Sequence, residues 1–191
     1  EHVLPHEAAL LDGLGVSLHA LRRAGFEPGK DVAVIGCGPI GMGIAAVARA
    51  WGAREIFCVD LYDVALGIAR DTIGGHTIDA RKVDPVAYVD DQTAGLGVSF
   101  AFDTVCTTQT QRQSLSVLGN QGILVNVATS NLDITINLTD LGGERMLRGS
   151  SNYLIDEFPM AVDLLVGGQI EAAPWITHRV PLKAVPDTFA L

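Results

Sequence analysis

Basic clusters, aromatic side chains and paired cysteines are all scarce in this chain of 191 residues. Lysine and arginine number 13 against 22 aspartates and glutamates, a formal net charge of −9. Such a surface repels a polyanion at long range, and no Lys/Arg cluster reverses that locally. The one basic pair, Arg22-Arg23, reads as the cationic last turn of a helix before Gly25. With no basic stripe, nucleic-acid binding is set aside. The three cysteines, Cys37, Cys58 and Cys106, form no CxxC and each lies in an apolar run. That excludes a disulfide framework and predicts reduced, buried thiols in a cytoplasmic protein. No signal peptide is visible, so the sequon at Asn137-Leu138-Thr139 is a chance match. Histidines 2, 6, 19, 76 and 178 are too scattered for metal-ligand spacing, and Pro5 argues against a helix joining His2 to His6. No internal repeat is present.

What is abundant is aliphatic. Hydrophobic residues make up 48% while aromatics are 6%, and 21 residues are glycine. The stretch "VAVIGCGPIGMGIAAVARAWGA" from Val32 to Ala53 is almost wholly apolar. A membrane span needs ~20 apolar residues in unbroken helix. Here Pro39 and five glycines interrupt the run and Arg49 lies inside it, so the chain is read as having no membrane partner.

Short β-like runs alternate with helical ones. Glu7 to Ala24 has a helical period of leucines ended by Gly25. Strands are predicted at Asp31–Gly36, Glu55–Val59, His76–Ile78, Val98–Phe102, Gly122–Val127 and Met146–Gly149. Helices are predicted at Ile40–Trp51, Tyr62–Thr72, Pro85–Asp91, Thr108–Leu118 and Phe158–Val166. Strands apolar throughout are buried on both faces, as in a parallel sheet flanked by helices. The fold class is therefore α/β, a Rossmann-type doubly wound parallel sheet. Residues 1–24 read as a linker helix, 25–174 as the doubly wound domain, and 175–191 as a further strand and the start of a helix. The absent initiator Met and the unfinished helix "AVPDTFAL" lead us to expect a piece of a longer protein.

Within the opening stretch, "GCGPIG" supplies Gly36, Gly38 and Gly41, a G-x-G-x-x-G pattern between a strand and a helix. Gly36 permits the tight turn, Gly38 lets a pyrophosphate approach the backbone, and Gly41 lets the helix pack on the sheet. Pro39 falls at the first helical position, where its missing N–H is no loss. The free N–H groups of Ile40 and Gly41 then point at phosphate oxygens. Asp60, ending "EIFCVD", lies about two dozen positions after Gly36, near the roughly 20 that the dinucleotide fingerprint expects. A carboxylate there accepts the ribose hydroxyls and repels the 2′-phosphate of NADP. Leu61, Tyr62 and Asp63 follow with no arginine, so NAD is the expected cofactor. The bland alternative for Asp60 is a helix N-cap.

The chain from about Pro5 to Leu191 resembles the zinc-type medium-chain alcohol/polyol dehydrogenases. The resemblance rests on "EAALLDGLGVSLHALRRAG", "PGKDVAVIGCGPIGMGIAAVARAWGA", "FCVDLYDVALGIARDTIGGHTIDA", "FAFDTVC", "GNQGILVNVAT" and "ITHRVPLKAVPDTF", in that order. It implies that this portion is the cofactor domain, and that the two terminal segments belong to a catalytic domain that is absent. Zinc, whose ligands lie in that other domain, would polarise the oxygen of a small alcohol or polyol before hydride passes to NAD. It follows that the chain carries neither catalytic residues nor metal ligands. Asp12 aligns with a glutamate that approaches the zinc in polyol-type relatives. The nicotinamide neighbours implied by the resemblance are Thr104 and Val105 after the fourth strand, Val127 and Ala128 at the fifth, and Ser150 and Ser151 after the sixth. Cys106 and Ala128 stand where relatives usually have glycine, each adding a side chain near the cofactor, and Ala65 stands where a basic residue is usual. A homo-oligomer through the sixth strand is also implied. The rivals are a non-enzymatic NAD(H)-sensing or regulatory module and, less well matched, an S-adenosylmethionine-binding methyltransferase.

Overall fold

The computed structural model describes residues 5–128 and 133–188. Six parallel strands form one sheet: β1 (Val32–Ile35), β2 (Ile56–Asp60), β3 (His76–Asp79), β4 (Val98–Asp103), β5 (Leu118–Asn126) and β6 (Met146–Gly149). Their order is β3-β2-β1-β4-β5-β6. All four residues of β1 are buried, as a central strand covered on both faces requires. Successive side chains point to opposite faces. Val32 and Val34 accordingly join one core with Ile56, Cys58, Phe100 and Phe102, whereas Ala33 and Ile35 join a second with Phe57, Val59 and Leu124.

The first core is covered by α2 (Leu11–Ala24), α3 (Pro39–Ala50), α4 (Asp63–Thr72) and α7 (Phe158–Val166), and the second by α5 (Pro85–Gln92) and α6 (Thr108–Ser116). Each helix has a local reason to start or stop. Asp84 caps α5 by accepting from Val86 N–H, and Thr107 and Thr110 form a reciprocal box at the start of α6. Gly25 ends α2 at φ +70, a left-handed turn that glycine adopts without a Cβ clash. Leu14, Leu18 and Leu21 of α2 are fully buried, and burying such a side chain is worth about 1.5–3 kcal/mol. A Cβ on Gly43 of α3 would meet Ser17 Oγ of α2 at 2.4 Å, so the two helices sit closer than any larger residue allows.

Most element ends fall within two residues of the sequence reading, and three differences are larger. The helix expected over Glu7–Ala24 is two pieces, α1 (Pro5–Ala8) and α2. Leu10 and Leu11 both pack on the core, so the apolar pattern runs across the break and hides it. β5 begins at Leu118 rather than Gly122, because Leu118 pairs with Val98 before an irregularity, with Gln121 at φ +60, brings Ile123 beside Phe100. The tail has no strand among the described residues. It carries 3₁₀ turns at Ala173–Trp175 and Leu182–Ala184 and the short α8 (Val185–Thr188). A strand needs a neighbour to receive its hydrogen bonds, and none is offered there. Pro5 opens α1, while His2 lies outside the described residues. Among the described residues no helix is long and apolar enough to cross a membrane.

Candidate functional site

The chain leaves β1 toward β2 on one side and reaches β4 on the other, so the strand order reverses beside β1. Ligands of open α/β sheets lie outside the carboxyl ends of the strands at such a point. Gly36 follows β1 at φ +90, with its N–H bonded to Val59 O at 2.8 Å. A Cβ there would lie 2.5 Å from Thr104 Oγ1 and 2.7 Å from Val105 Cγ2. On Gly41 it would lie 1.8 Å from the carbonyl oxygen of Gly36. The fold itself therefore demands both glycines. Gly38 is different. It is exposed and extended (φ −67°, ψ −174°), and nothing among the described residues stands within 4 Å of where its Cβ would be. Pro39 opens α3, and no side chain caps that end. By position, the N–H groups of Ile40 and Gly41 have no partner within the helix. Open space over Gly38 beside uncapped donors at the positive end of a helix dipole suits an anion.

Asp60 ends β2, one strand away. Its Oδ2 accepts Cys37 N–H at 2.6 Å, and its Oδ1 accepts Leu61 N–H at 2.6 Å and Tyr62 N–H at 2.9 Å. Three backbone donors fix the carboxylate and tie the glycine loop to β2. Cys37 occupies a variable place in the motif, and no sequence signal marked its N–H. Leu61 is 50% exposed on this turn and Val105 44% exposed on the turn after β4.

Thr104 Oγ1 donates toward Ile35 O and Gly36 O, at 3.1 and 3.0 Å, clamping the loop from the β4 side. Asp103, fully buried, accepts from Val105 N–H, Cys106 N–H and Gln111 Nε2. Cys106 sits at φ +56 where glycine was expected, but its side chain is 1% exposed. Its thiol turns inward to the Asn126 side-chain oxygen, so it does not narrow the cleft. Burial, then the Asp103 charge, pushes this thiol up to about 11. Val127 is buried at the end of β5, its N–H bonded to Asp103 O at 3.0 Å, and Ala128 after it is half-buried. After β6, Ser150 N–H bonds Asn126 O at 2.9 Å, while its buried Oγ has no partner among the described residues; Ser151 is exposed. From β2 to β6 the named residues span four strand spacings, roughly 19 Å at ~4.8 Å each. They form one row suited to an extended ligand with a central anion.

Asp12 lies apart from this row. Its Oδ1 accepts the Tyr153 hydroxyl at 3.0 Å, and it lines a cavity of about 120 Å³ with Leu10, Gly13, Pro39 and Trp175. The hydrogen bond to Asp12 holds the Tyr153 phenol above its ordinary range. Among the described residues no three His, Cys, Asp or Glu side chains gather as a metal site. The described residues do not fit a zinc centre. Ala65 is half-buried on α4 against the first core.

Residues 39–167 match the family model described as zinc-binding dehydrogenase. L-idonate 5-dehydrogenase of Vitis vinifera is 31% identical over 198 residues, covering 99% of this chain and 53% of that protein. L-threonine 3-dehydrogenase of Bacillus velezensis is 28% identical over 190 residues, covering 98% and 55%. The crystal structure of 2R,3R-butanediol dehydrogenase from Bacillus subtilis superposes with a TM-score of 0.84 at 29% identity, over 91% of this chain and 50% of that one. The chain spans about half the length of the curated relatives it matches. With the doubly wound sheet, the glycine loop and these matches together, the chain belongs to the zinc-binding dehydrogenase family.

Proposed function

We propose that this chain is the NAD-binding half of an alcohol or polyol dehydrogenase, which holds and aims the dinucleotide while the metal chemistry comes from residues other than those described here. The observation that carries the reading is the open space over Gly38 beside the uncapped start of α3, one strand from a carboxylate, Asp60, already aimed by three N–H groups. In this reading Gly38, Pro39, Ile40 and Gly41 cradle the pyrophosphate, and Gly36 keeps the loop clear of Thr104. Asp60 takes an adenosine ribose hydroxyl through the lone pair that remains on Oδ2 and repels a 2′-phosphate. Leu61 gives the adenine apolar surface, and Val105 stands at the nicotinamide end. Thr104, Val127, Ala128, Ser150 and Ser151 bound the nicotinamide end, where a carboxamide would satisfy the orphaned Ser150 Oγ. Bound there, the nicotinamide supplies a hydride acceptor, and the protein's share is to fix its position.

The names of the relatives, an idonate, a threonine and a butanediol dehydrogenase, support a small alcohol or polyol substrate. Asp12, held by Tyr153 beside Pro39, is proposed to stand next to the zinc rather than on it. Three free, buried thiols support a reducing, cytoplasmic setting. β6 is a sheet edge with Met146 40% and Leu147 43% exposed, which supports a second copy pairing there. A monomeric mass by light scattering would count against that contact. The function is tested by calorimetric titration with NADH and NADPH side by side. NADH is expected to bind at least tenfold more tightly, and binding of neither would overturn the reading. The 191 residues alone are expected not to turn over any alcohol with NAD.

A further inference from the structure

Two cations stand beside the proposed adenosine ribose position, and both are held by carboxylates. Asp79, at the end of β3, is the register partner of Asp60, and Ala80 N–H bonds Asp60 O at 3.1 Å. The next two residues are Arg81 and Lys82. Arg81 grips Asp79 through two bonds, Nε to Oδ1 at 2.8 Å and an Nη to Oδ2 at 2.7 Å, and the same Nη reaches Asp63 Oδ1 at 3.0 Å. Lys82 Nζ lies 2.7 Å from Asp79 Oδ2 and 3.6 Å from Asp63 Oδ1. Each carboxylate thus serves both cations. Asp63 is the first residue of α4, three positions after Asp60. The bland role for Asp63 is an acid complementing the helix dipole. That role does not require cations from another element to converge on it. Hydrogen bonds from Arg81 and then Lys82 hold the Asp79 carboxyl well below the usual carboxylate range.

Two positive and two negative charges cancel, leaving the single charge of Asp60 uncompensated at this end of the site. A 2′-phosphate carries close to two negative charges, and its binding depends on a cation free to meet it. The usual basic position, five residues after Asp60, is Ala65. Among the described residues, Arg81 and Lys82 are the basic side chains on Asp63 and Asp79.

Resting on the NAD reading above, we propose that Asp63 and Asp79 are specificity-determining residues: by occupying Arg81 and Lys82, they withhold from the ribose end the positive charge that would admit NADP(H). The cofactor preference is then set by a four-membered charge network on the β3 side as well as by Asp60.

The test is calorimetric titration of the protein with NADH and with NADPH, for wild type, Asp63→Asn, Asp63→Asn/Arg81→Ala and Asp60→Asn. Asp63 is exposed, so its neutral variant is expected to fold, and a thermal melt checks this. Asp63→Asn should raise NADPH affinity relative to NADH by about tenfold, an effect that shrinks with added salt. Removing Arg81 as well should reverse most of the gain. An unchanged ratio in Asp63→Asn, with Asp60→Asn shifting it, overturns the network proposal and leaves the ribose assignment standing. A gain that survives loss of Arg81 also overturns it. A silent Asp60→Asn overturns the ribose assignment, and this proposal with it.

Discussion

The carboxylate of Asp60 accepts the backbone N–H of Cys37 at 2.6 Å, so the side chain proposed to meet the ribose also shapes the loop proposed to meet the pyrophosphate. Asp60→Asn is expected to harm both. An amide presents one acceptor oxygen where two now serve three donors, and its NH₂ must face a backbone N–H. NADH affinity should fall roughly ten- to hundredfold and stability by about 1–3 kcal/mol. Titration calorimetry and urea melts on the same samples check the pair. Weakened NADH binding with unchanged stability would show that the Cys37 contact contributes nothing to the fold.

Gly38 and Gly41 should behave oppositely when each is changed to alanine. Gly38→Ala adds a methyl group to open space on an ordinary backbone, so its melting temperature should stay near wild type while dinucleotide binding is lost. Gly41→Ala drives a methyl group into the carbonyl of Gly36, a backbone atom unable to rotate away. Overpacking of this kind costs about 1–3 kcal/mol or more, and poor soluble yield is expected. Equal melting temperatures for the two variants would contradict this division.

Glu157, 1% exposed before α7, joins α2 to the segment after β6. It accepts from His19 Nδ1 at 2.9 Å and Leu154 N–H at 2.7 Å, and Arg22 Nε lies 3.3 Å away. Burial pushes its carboxyl up, but the Leu154 N–H, His19 and Arg22 outweigh this and hold it below its ordinary value of 4.5. A folded value below the unfolded one means that its stabilisation is present above about pH 4.5 and is lost as pH falls through the folded value. Glu157→Gln should therefore lose about 2–3 kcal/mol at pH 7, and the gap from wild type should narrow at pH 3.5. Urea melts at the two pH values check it, and a gap independent of pH would refute the charged role.

The thiols should be inert in the native protein. Cys106 is pushed up to about 11, and Cys37 is raised by its hydrogen bond with Cys58 and then by burial. Cys58 is 1% exposed. Little thiolate exists at Cys37 and Cys106 at pH 8, and burial closes Cys58 to reagent, so a disulfide reagent should modify none of the three cysteines until denaturant is added, then all three. Rapid native labelling of Cys106 would place its side chain in the cleft after all.

Much of the architecture was legible because its signals are local. The apolar runs from Val32 and Ile56, the Gly36–Gly41 spacing and the carboxylate at Asp60 each fit within a short window. Where reading and structure part, the deciding contact is distant. Leu118 joins β5 because Val98 is beside it, and residues 176–181 form no strand because no partner strand is there. Cys106 looked like an obstruction because its position in the motif says nothing of side-chain direction. Asn126, twenty positions on, draws it inward.

Sequence alone determined the alternation of strand and helix, the three bare positions of the loop and the acid at 60, since hydrophobic period and the steric freedom of glycine act over a few residues. Tertiary structure decided which glycine the fold spares for a ligand, where the Cys106 thiol points and which carboxylates hold Arg81 and Lys82. Each of these depends on three-dimensional distances, such as the open space over Gly38, the Cys106–Asn126 contact across β4 and β5, and the reach of Arg81 to Asp63, and a pattern of residue types carries no record of such distances.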